Sequence, residues 1–193
     1  MNHKIEFATL DDAKDILDIY APYILNTSIT FEYEVPSIEE FKNRIKKVTS
    51  YYPWLVYKID EKIVAYAYAS QYKERAAFMW DTEVSIYISP NYQGRGIAKI
   101  LYRCLFDLLW LQGFYNIYAL ISVPNEKSIA LHDSFGFELV GTYINTGFKL
   151  NHWCNLASLV KKLREAKEKP EPTVNIHDID QQLREDIFTK YII

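Results

Sequence analysis

The sequence predicts an α/β (α+β) fold: a mixed, mostly antiparallel central sheet of about seven strands flanked by about four helices. Three observations predict it. The 193 residues are 49% hydrophobic and 24% charged, a globular composition long enough for one proper core. Apolar residues recur at three- and four-residue steps in some segments and at two-residue steps in others. These segments follow in the order strand, two helices, three strands, helix, strand, helix, two strands, with no internal repeat.

Residues 5–8 alternate and read as a short first strand. Thr9 then offers an N-cap with Asp11 and Asp12 in the first turn, ahead of Ala13, Ile16, Leu17, Tyr20 and Ile24 at helical spacing. Ser37-Ile38-Glu39-Glu40 has the capping-box pattern, in which the Ser hydroxyl and the Glu carboxylate satisfy opposite orphan amides. Phe41, Ile45 and Val48 continue that second helix. Residues 54–59 and 62–70 are rich in Val, Ile, Tyr and Trp and read as a hairpin about Asp60-Glu61, of open turn type because glycine is absent.

Residues 82–88 are a further strand, with Glu83, Ser85 and Tyr87 on one face and Val84, Ile86 and Ile88 on the other. Residues 96–112 carry a broad apolar stripe and end at Gly113, a natural helix stop. Residues 117–123 read as a strand, 125–135 as a helix stopped by Gly136, and 139–144 and 153–160 as the closing strands. Residues 1–165 are thus expected to form the folded domain. Residues 166–193 are expected to be a charged, Pro-containing linker and an amphipathic helical tail with Ile176, Ile179, Leu183, Ile187 and Tyr191 in helical steps. That tail is expected to dock on its own domain or on a partner subunit, with a frayed end as the alternative.

The bulk properties exclude several classes. A net charge of −3 offers no basic footprint for nucleic acid. The longest apolar run, 63–69, is too short for a bilayer, and the N-terminus lacks the apolar core of a signal peptide, so a soluble cytoplasmic protein is expected. Cys104 and Cys154 read as two buried thiols, and the four histidines are too scattered for a metal motif.

Residues 93–98, Gln-Gly-Arg-Gly-Ile-Ala, stand between a strand and a helix in a chain with only six glycines. Glycines permit positive φ and leave backbone amides open, and a helix N-terminus attracts anions. Arg95 adds a full charge. A P-loop requires Lys-Ser/Thr after the second glycine, where Ile97-Ala98 stand, and the dinucleotide fingerprint requires Gly or Ala where Lys99 stands. By itself the tripeptide also fits a tight turn that holds no ligand.

The turn as a whole resembles the Gln/Arg-x-x-Gly-x-Gly/Ala motif of the GNAT superfamily of N-acetyltransferases. Asn125, Ser128, His132 and Gly136-Phe137 follow downstream as that family's second element does. Segments such as TSITFEYEVPSIEEF, DTEVSIYISPNYQGRG and GFKLNHW resemble the phosphinothricin acetyltransferase-like family within it, over nearly all of residues 3–163. The resemblance implies a GNAT fold and acetyl-CoA as co-substrate, with no metal. It implies that Gln93, Gly94, Arg95, Gly96, Ile97 and Ala98, the strand end Ile86, Tyr87 and Ile88, and Asn125 and Ser128 bind the cofactor. It further implies a homodimer.

Acyl transfer to an amine requires a base for the ammonium proton, and an acid assists the departing thiolate. Glu83 lies on the polar strand face just upstream of the turn, where a surface ion pair is the plainer reading; the resemblance assigns it the base role. His132 lies seven residues after Asn125, two helical turns on, and stands where many GNAT members have a tyrosine acid; it serves as that acid or bonds a neighbour. Lys73 and Arg75 resemble the family's basic pair for a carboxylate or phosphinate. Phe31, Tyr87 and Lys149 resemble residues that shape its acceptor pocket. One position departs: Phe31 is followed by Glu32, where the herbicide-detoxifying members carry arginine. The expected activity is acetylation of a small amino-acid-like amine by direct attack in a ternary complex. A peptide N-terminal acetyltransferase and a non-catalytic acyl-CoA sensor are the alternatives.

Overall fold

The protein is described by a computed structural model over residues 2–192. Seven strands form one sheet: β1 (His3–Phe7), β2 (Trp54–Ile59), β3 (Lys62–Gln71), β4 (Asp81–Ile88), β5 (Asn116–Val123), β6 (Glu138–Lys149) and β7 (His152–Lys162). Their spatial order is β1-β2-β3-β4-β5-β7-β6. Every pair is antiparallel except β4 with β5. Five α-helices complete the fold: α1 (Ala13–Asn26), α2 (Ile38–Thr49), α3 (Ile97–Gln112), α4 (Glu126–Asp133) and α5 (Gln181–Tyr191). No helix among the described residues is long and apolar enough to cross a membrane.

Both faces of the sheet are covered, so the chain has two cores. Leu55, Ala65, Ala67, Val84, Ile117 and Ala119 face α3, whose Leu101, Leu105, Leu108 and Leu109 are fully buried against them. Val56, Tyr66 and Trp54 point to the opposite face and pack under Ile16, Tyr20 and Ile24 of α1 and Phe41 and Ile45 of α2. Glu83, Ser85 and Tyr87 lie on this second face, beside their β3 partners Ser70, Tyr68 and Tyr66. The polar face of β4 is therefore roofed by helices.

Local chemistry moves several boundaries. α1 starts at Ala13, because the Asp12 carboxylate accepts hydrogen bonds from the Thr9 amide and hydroxyl, both at 2.8 Å, and holds residues 9–12 as a turn. Only half of the capping box forms. Ser37 accepts from the Glu40 amide at 3.1 Å, but the Glu40 carboxylate turns to Arg44 at 2.6 Å. Asp60 and Glu61 both have positive φ, 48° and 65°, the type I′ geometry that matches strand twist. The final hairpin is longer than its sequence pattern: β6 runs on past residue 144 through a left-handed Asn145 and a register shift between Tyr143 and Gly147.

The tail folds back on the same chain. Ile176, Ile179 and Ile187 are buried in the main core, Phe188 packs edge-to-face on Phe7 at 5.0 Å, and Lys190 and Tyr191 both donate to Asp107 of α3 at 2.8 Å. Burying each isoleucine contributes about 1.5–3 kcal/mol, enough to hold the segment down.

Candidate active site

The parallel pair β4–β5 is joined at only three positions, Asp81–Glu83 against Asn116–Tyr118. Beyond Glu83 and Tyr118 no further ladder pair forms, and the two strands part. From Val84 to Ile88 the edge of β4 that faces β5 has no strand partner, and apart from the Ile88 carbonyl, which accepts from Tyr23, its peptide groups are open to an extended ligand. A cavity of about 60 Å³ lies in this cleft, lined by Ser85, Ile86, Tyr87, Tyr102, Asn125 and His132, with Ser128 beside them.

The 93–98 turn follows the end of β4 and leads into α3, whose Tyr102 lines the cleft. Gly94 and Gly96 have φ of 74° and 79°, and a Cβ on either would meet nothing within 4 Å. Glycine is thus required by backbone conformation, and the space above it is free. The first helical bonds run from the Lys99 and Ile100 amides to the Gly96 carbonyl, leaving the amides of residues 94–98 without protein acceptors among the described residues. Arg95 lies across Tyr92 and donates to the Asn91 carbonyl at 2.9 Å, adding positive charge beside these amides. Gln93 turns inward to the Tyr23 hydroxyl at 2.9 Å, and Tyr23 in turn donates to the Ile88 carbonyl at 2.5 Å. The donor set suits a phosphate-bearing ligand.

Asn125 caps α4 by accepting from the Ser128 amide at 3.2 Å. One α-helical turn after Ser128, the His132 ring is buried, with Nδ1 2.8 Å from the Ser128 carbonyl and Nε2 3.1 Å from the Tyr102 hydroxyl. A carbonyl only accepts, so Nδ1 carries the proton, and Nε2 accepts from Tyr102. Burial lowers the His132 pKa and keeps the ring neutral. Tyr102 is the residue that sequence reasoning missed. Its signal is a hydroxyl inside the apolar stripe of α3, which needs a partner once buried.

Glu83 lies where the strands part, paired laterally with Ser70 on β3 and Tyr118 on β5. It is half-buried, and no hydrogen bond or ion pair reaches its carboxylate among the described residues. Burial alone raises its pKa. Beyond Ser70 a larger cavity of about 780 Å³ opens, walled by Tyr20, Phe41, Trp54, Tyr66, Tyr68 and Tyr72. Trp54 stacks on Tyr68 at 4.2 Å, and Tyr72 on Tyr118 at 3.9 Å, so the aromatic wall runs up to the neighbours of Glu83. Lys73 and Arg75 stand on its rim, Lys73 over the Tyr72 and Phe78 rings at 4.8 Å.

The remaining sequence-predicted residues lie elsewhere. Lys149 is buried, its ammonium donating to the Thr30 carbonyl at 2.7 Å, and desolvation lowers its pKa. Phe31 packs its ring on the backbone of Gly147, where a Cβ would sit 2.6 Å from it. Neither lines either of these two cavities; together they fix the 27–36 loop onto β6. Glu32 does line the larger cavity, but Arg44 of α2 bonds both of its oxygens at 2.8 and 2.9 Å, and Tyr20 adds a third bond at 2.8 Å. Glu32 is thereby paired within the wall. Among the described residues no cluster of three or more His, Cys, Asp or Glu side chains is placed to hold a metal.

A sheet splayed between its fourth and fifth strands, followed by a glycine turn whose amides have no protein acceptor among the described residues, is an acetyltransferase architecture. Residues 5–156 match the acetyltransferase (GNAT) domain, and the chain belongs to that family, as an acetyl-CoA-dependent N-acetyltransferase. It is 34% identical over 161 residues to a phosphinothricin N-acetyltransferase of Streptomyces coelicolor, covering 76% of this chain and 88% of that one. It is 27% identical over 165 residues to an L-methionine sulfoximine/L-methionine sulfone acetyltransferase of Salmonella typhimurium, covering 83% and 95%. A solved GNAT phosphinothricin acetyltransferase from Sinorhizobium meliloti in complex with AcCoA superposes with a TM-score of 0.85 at 35% identity, over 90% of this chain and 96% of that one.

Proposed function

We propose that this enzyme acetylates the α-amine of a small amino-acid-like acceptor, of the phosphinothricin or methionine sulfoximine type, by direct attack in a ternary complex. One observation carries the reading. Glu83, a half-buried carboxylate with no partner among the described residues, sits between strand neighbours that line two cavities: Ser85 in the narrow cleft and its β3 partner Ser70 in the aromatic cavity with a cationic rim. Acetyl-CoA bound in the cleft supplies the acetyl group as a thioester. The amides of residues 94–98, with Gln93 and Arg95, hold its pyrophosphate, while Asn125, Ser128 and the open edge of Ile86, Tyr87 and Ile88 hold the pantetheine arm. The acceptor enters from the opposite side, its acidic groups on Lys73 and Arg75, its body against the aromatic wall and Tyr87.

Glu83 takes the ammonium proton of the acceptor, directly or through one water. On the cleft side, the Tyr102 hydroxyl donates to Nε2 of neutral His132, and the pair stands hydrogen-bonded in the cleft wall. His132 in this reading bonds a neighbour, and the departing thiolate takes its proton from solvent. Lys149 and Phe31 act by fixing the loop that carries Glu32. No acyl-enzyme is formed: Cys104 and Cys154 are both buried, and burial raises the Cys104 pKa, so no thiolate is on hand. Two unpaired thiols also support a reducing, cytoplasmic setting.

The test is thiol release from acetyl-CoA across phosphinothricin, methionine sulfoximine, free amino acids and short peptides. Turnover of the first two groups above the peptides is expected. Intact acetyl-CoA binding without turnover of any amine would instead favour a sensor, and peptide-only turnover an N-terminal acetyltransferase.

A homodimer completes the proposal. Edge strand β6 leaves Leu139, Val140, Tyr143 and Ile144 each more than half exposed, beside Trp153 of β7, a row of apolar side chains on an unpaired strand edge that suits a second copy of this chain. Sedimentation is expected to give a dimer, and Val140→Lys with Ile144→Lys a monomer. An unchanged mass would move the interface elsewhere.

A further inference from the structure

The larger cavity is walled in part by a segment outside the matched family domain. Pro172 and Thr173 line it, next to Tyr51 and Met79. The segment is stapled in place by bonds to three separate elements. Trp80, just before β4, donates its indole N–H to the Glu171 carbonyl at 2.8 Å. Tyr51, between α2 and β2, donates to the Thr173 carbonyl at 2.8 Å. At the end of α3, Gln112 receives the Val174 amide at its own carbonyl and returns its side-chain amide to the Val174 carbonyl, at 2.8 and 2.9 Å. Two residues further on, Ile176, 2% exposed, anchors the segment in the core. These bonds engage the backbone of the strap, and the Thr173 hydroxyl adds side-chain bonds to the Tyr51 hydroxyl at 2.8 Å and the Met79 carbonyl at 3.3 Å, so the strap's course is held while the Pro172 side chain alone stays unbonded on the cavity wall.

We propose that this C-terminal strap is the distal wall of the acceptor site and that Pro172 is a specificity-determining position. The proposal rests on the reading of the cavity as the acceptor's. A volume of about 780 Å³ is in the upper part of the range that holds a drug-sized ligand. An α-amine presented to Glu83 therefore leaves room for a side chain that extends past Lys73 and Arg75 to the strap. The favoured acceptor class is an amino acid whose side chain ends in an anionic group held between this cationic rim and the neutral strap.

A charge pair at Pro172 tests this. Pro172 is exposed and its side chain makes no bond, so Pro172→Glu and Pro172→Arg both keep the staples. With phosphinothricin, whose side chain is anionic, Pro172→Glu is expected to raise the acceptor KM roughly three- to tenfold and Pro172→Arg to leave or lower it. With methionine sulfoximine, whose side chain is neutral, the two variants should differ less, and the acetyl-CoA KM should hold in both. A purely structural effect moves both variants in one direction, and that result overturns the proposal. Lys73→Gln with Arg75→Gln separates the two layers. If that variant raises the acceptor KM while the Pro172 pair is silent, the strap is no part of the site and the cavity assignment stands. If neither alters it, the acceptor binds elsewhere and both readings fall.

Discussion

Glu83→Gln lowers kcat by roughly 10²–10⁴-fold while leaving the acetyl-CoA KM unchanged. The substitution keeps the shape of the side chain and removes only its capacity to take a proton. No protein partner is lost with it, because none reaches the Glu83 carboxylate among the described residues. The fold should not weaken. A carboxyl whose folded pKa is raised loses its proton later in the folded state than in the unfolded one. Its stability cost is absent below the unfolded value, sets in as pH climbs towards the raised value, and persists at neutral pH. A neutral amide escapes that cost, so the variant should melt no lower than the parent at pH 7. Steady-state kinetics with both substrates and a thermal melt check the two halves together. A drop in kcat accompanied by a lower Tm would assign Glu83 to structure.

Gly96→Val acts on the other substrate. At φ 79° a β-branched residue is strained, by about 1–2 kcal/mol or more, even though a Cβ there meets nothing within 4 Å. The added methyls enter the space that a phosphate would occupy, and the turn's relaxation redirects the amides of residues 95–98. Hydrogen bonds to a charged group contribute about 1.5–3 kcal/mol each. The loss of one or two corresponds to roughly 10–100-fold in the acetyl-CoA KM. The acceptor KM should hold, since its cavity is built from β2, β3, α2 and the strap. If the acceptor KM alone rises, the turn is not the cofactor cradle.

What the sequence disclosed follows the range of the forces involved. The alternation of β4 is local, and it places Glu83, Ser85 and Tyr87 on one face without knowledge of any other strand. The glycines at 94, 96, 113 and 136 all adopt positive φ, as turns and helix ends require. Helix starts were less legible, because Thr9 and Asp12 bond each other as readily as they cap a helix. The acceptor cavity was hardly legible at all. Its walls come from residues 20 to 173, and its chemistry depends on pairs such as Arg44 with Glu32 that no spacing announces. Glu32 reads in the sequence as a reversed charge beside the pocket; in the fold Arg44 balances it. Tyr102 and His132 meet across 30 residues from two helices, so a lone histidine became a held hydroxyl only once α3 and α4 were packed.

In the proposed reaction the half-buried Glu83 carboxylate takes the proton of the acceptor amine. The pH dependence of kcat/KM for the acceptor tests it most directly. Below its raised pKa Glu83 is protonated and cannot act; above it the base form is present, so activity should climb along an acid limb lying above the ordinary carboxylate range near pH 4.5. That limb should vanish in Glu83→Gln, leaving a low rate without it. The same limb at the same pH in the variant, with comparable activity on both sides, would contradict the account and give the proton to another group.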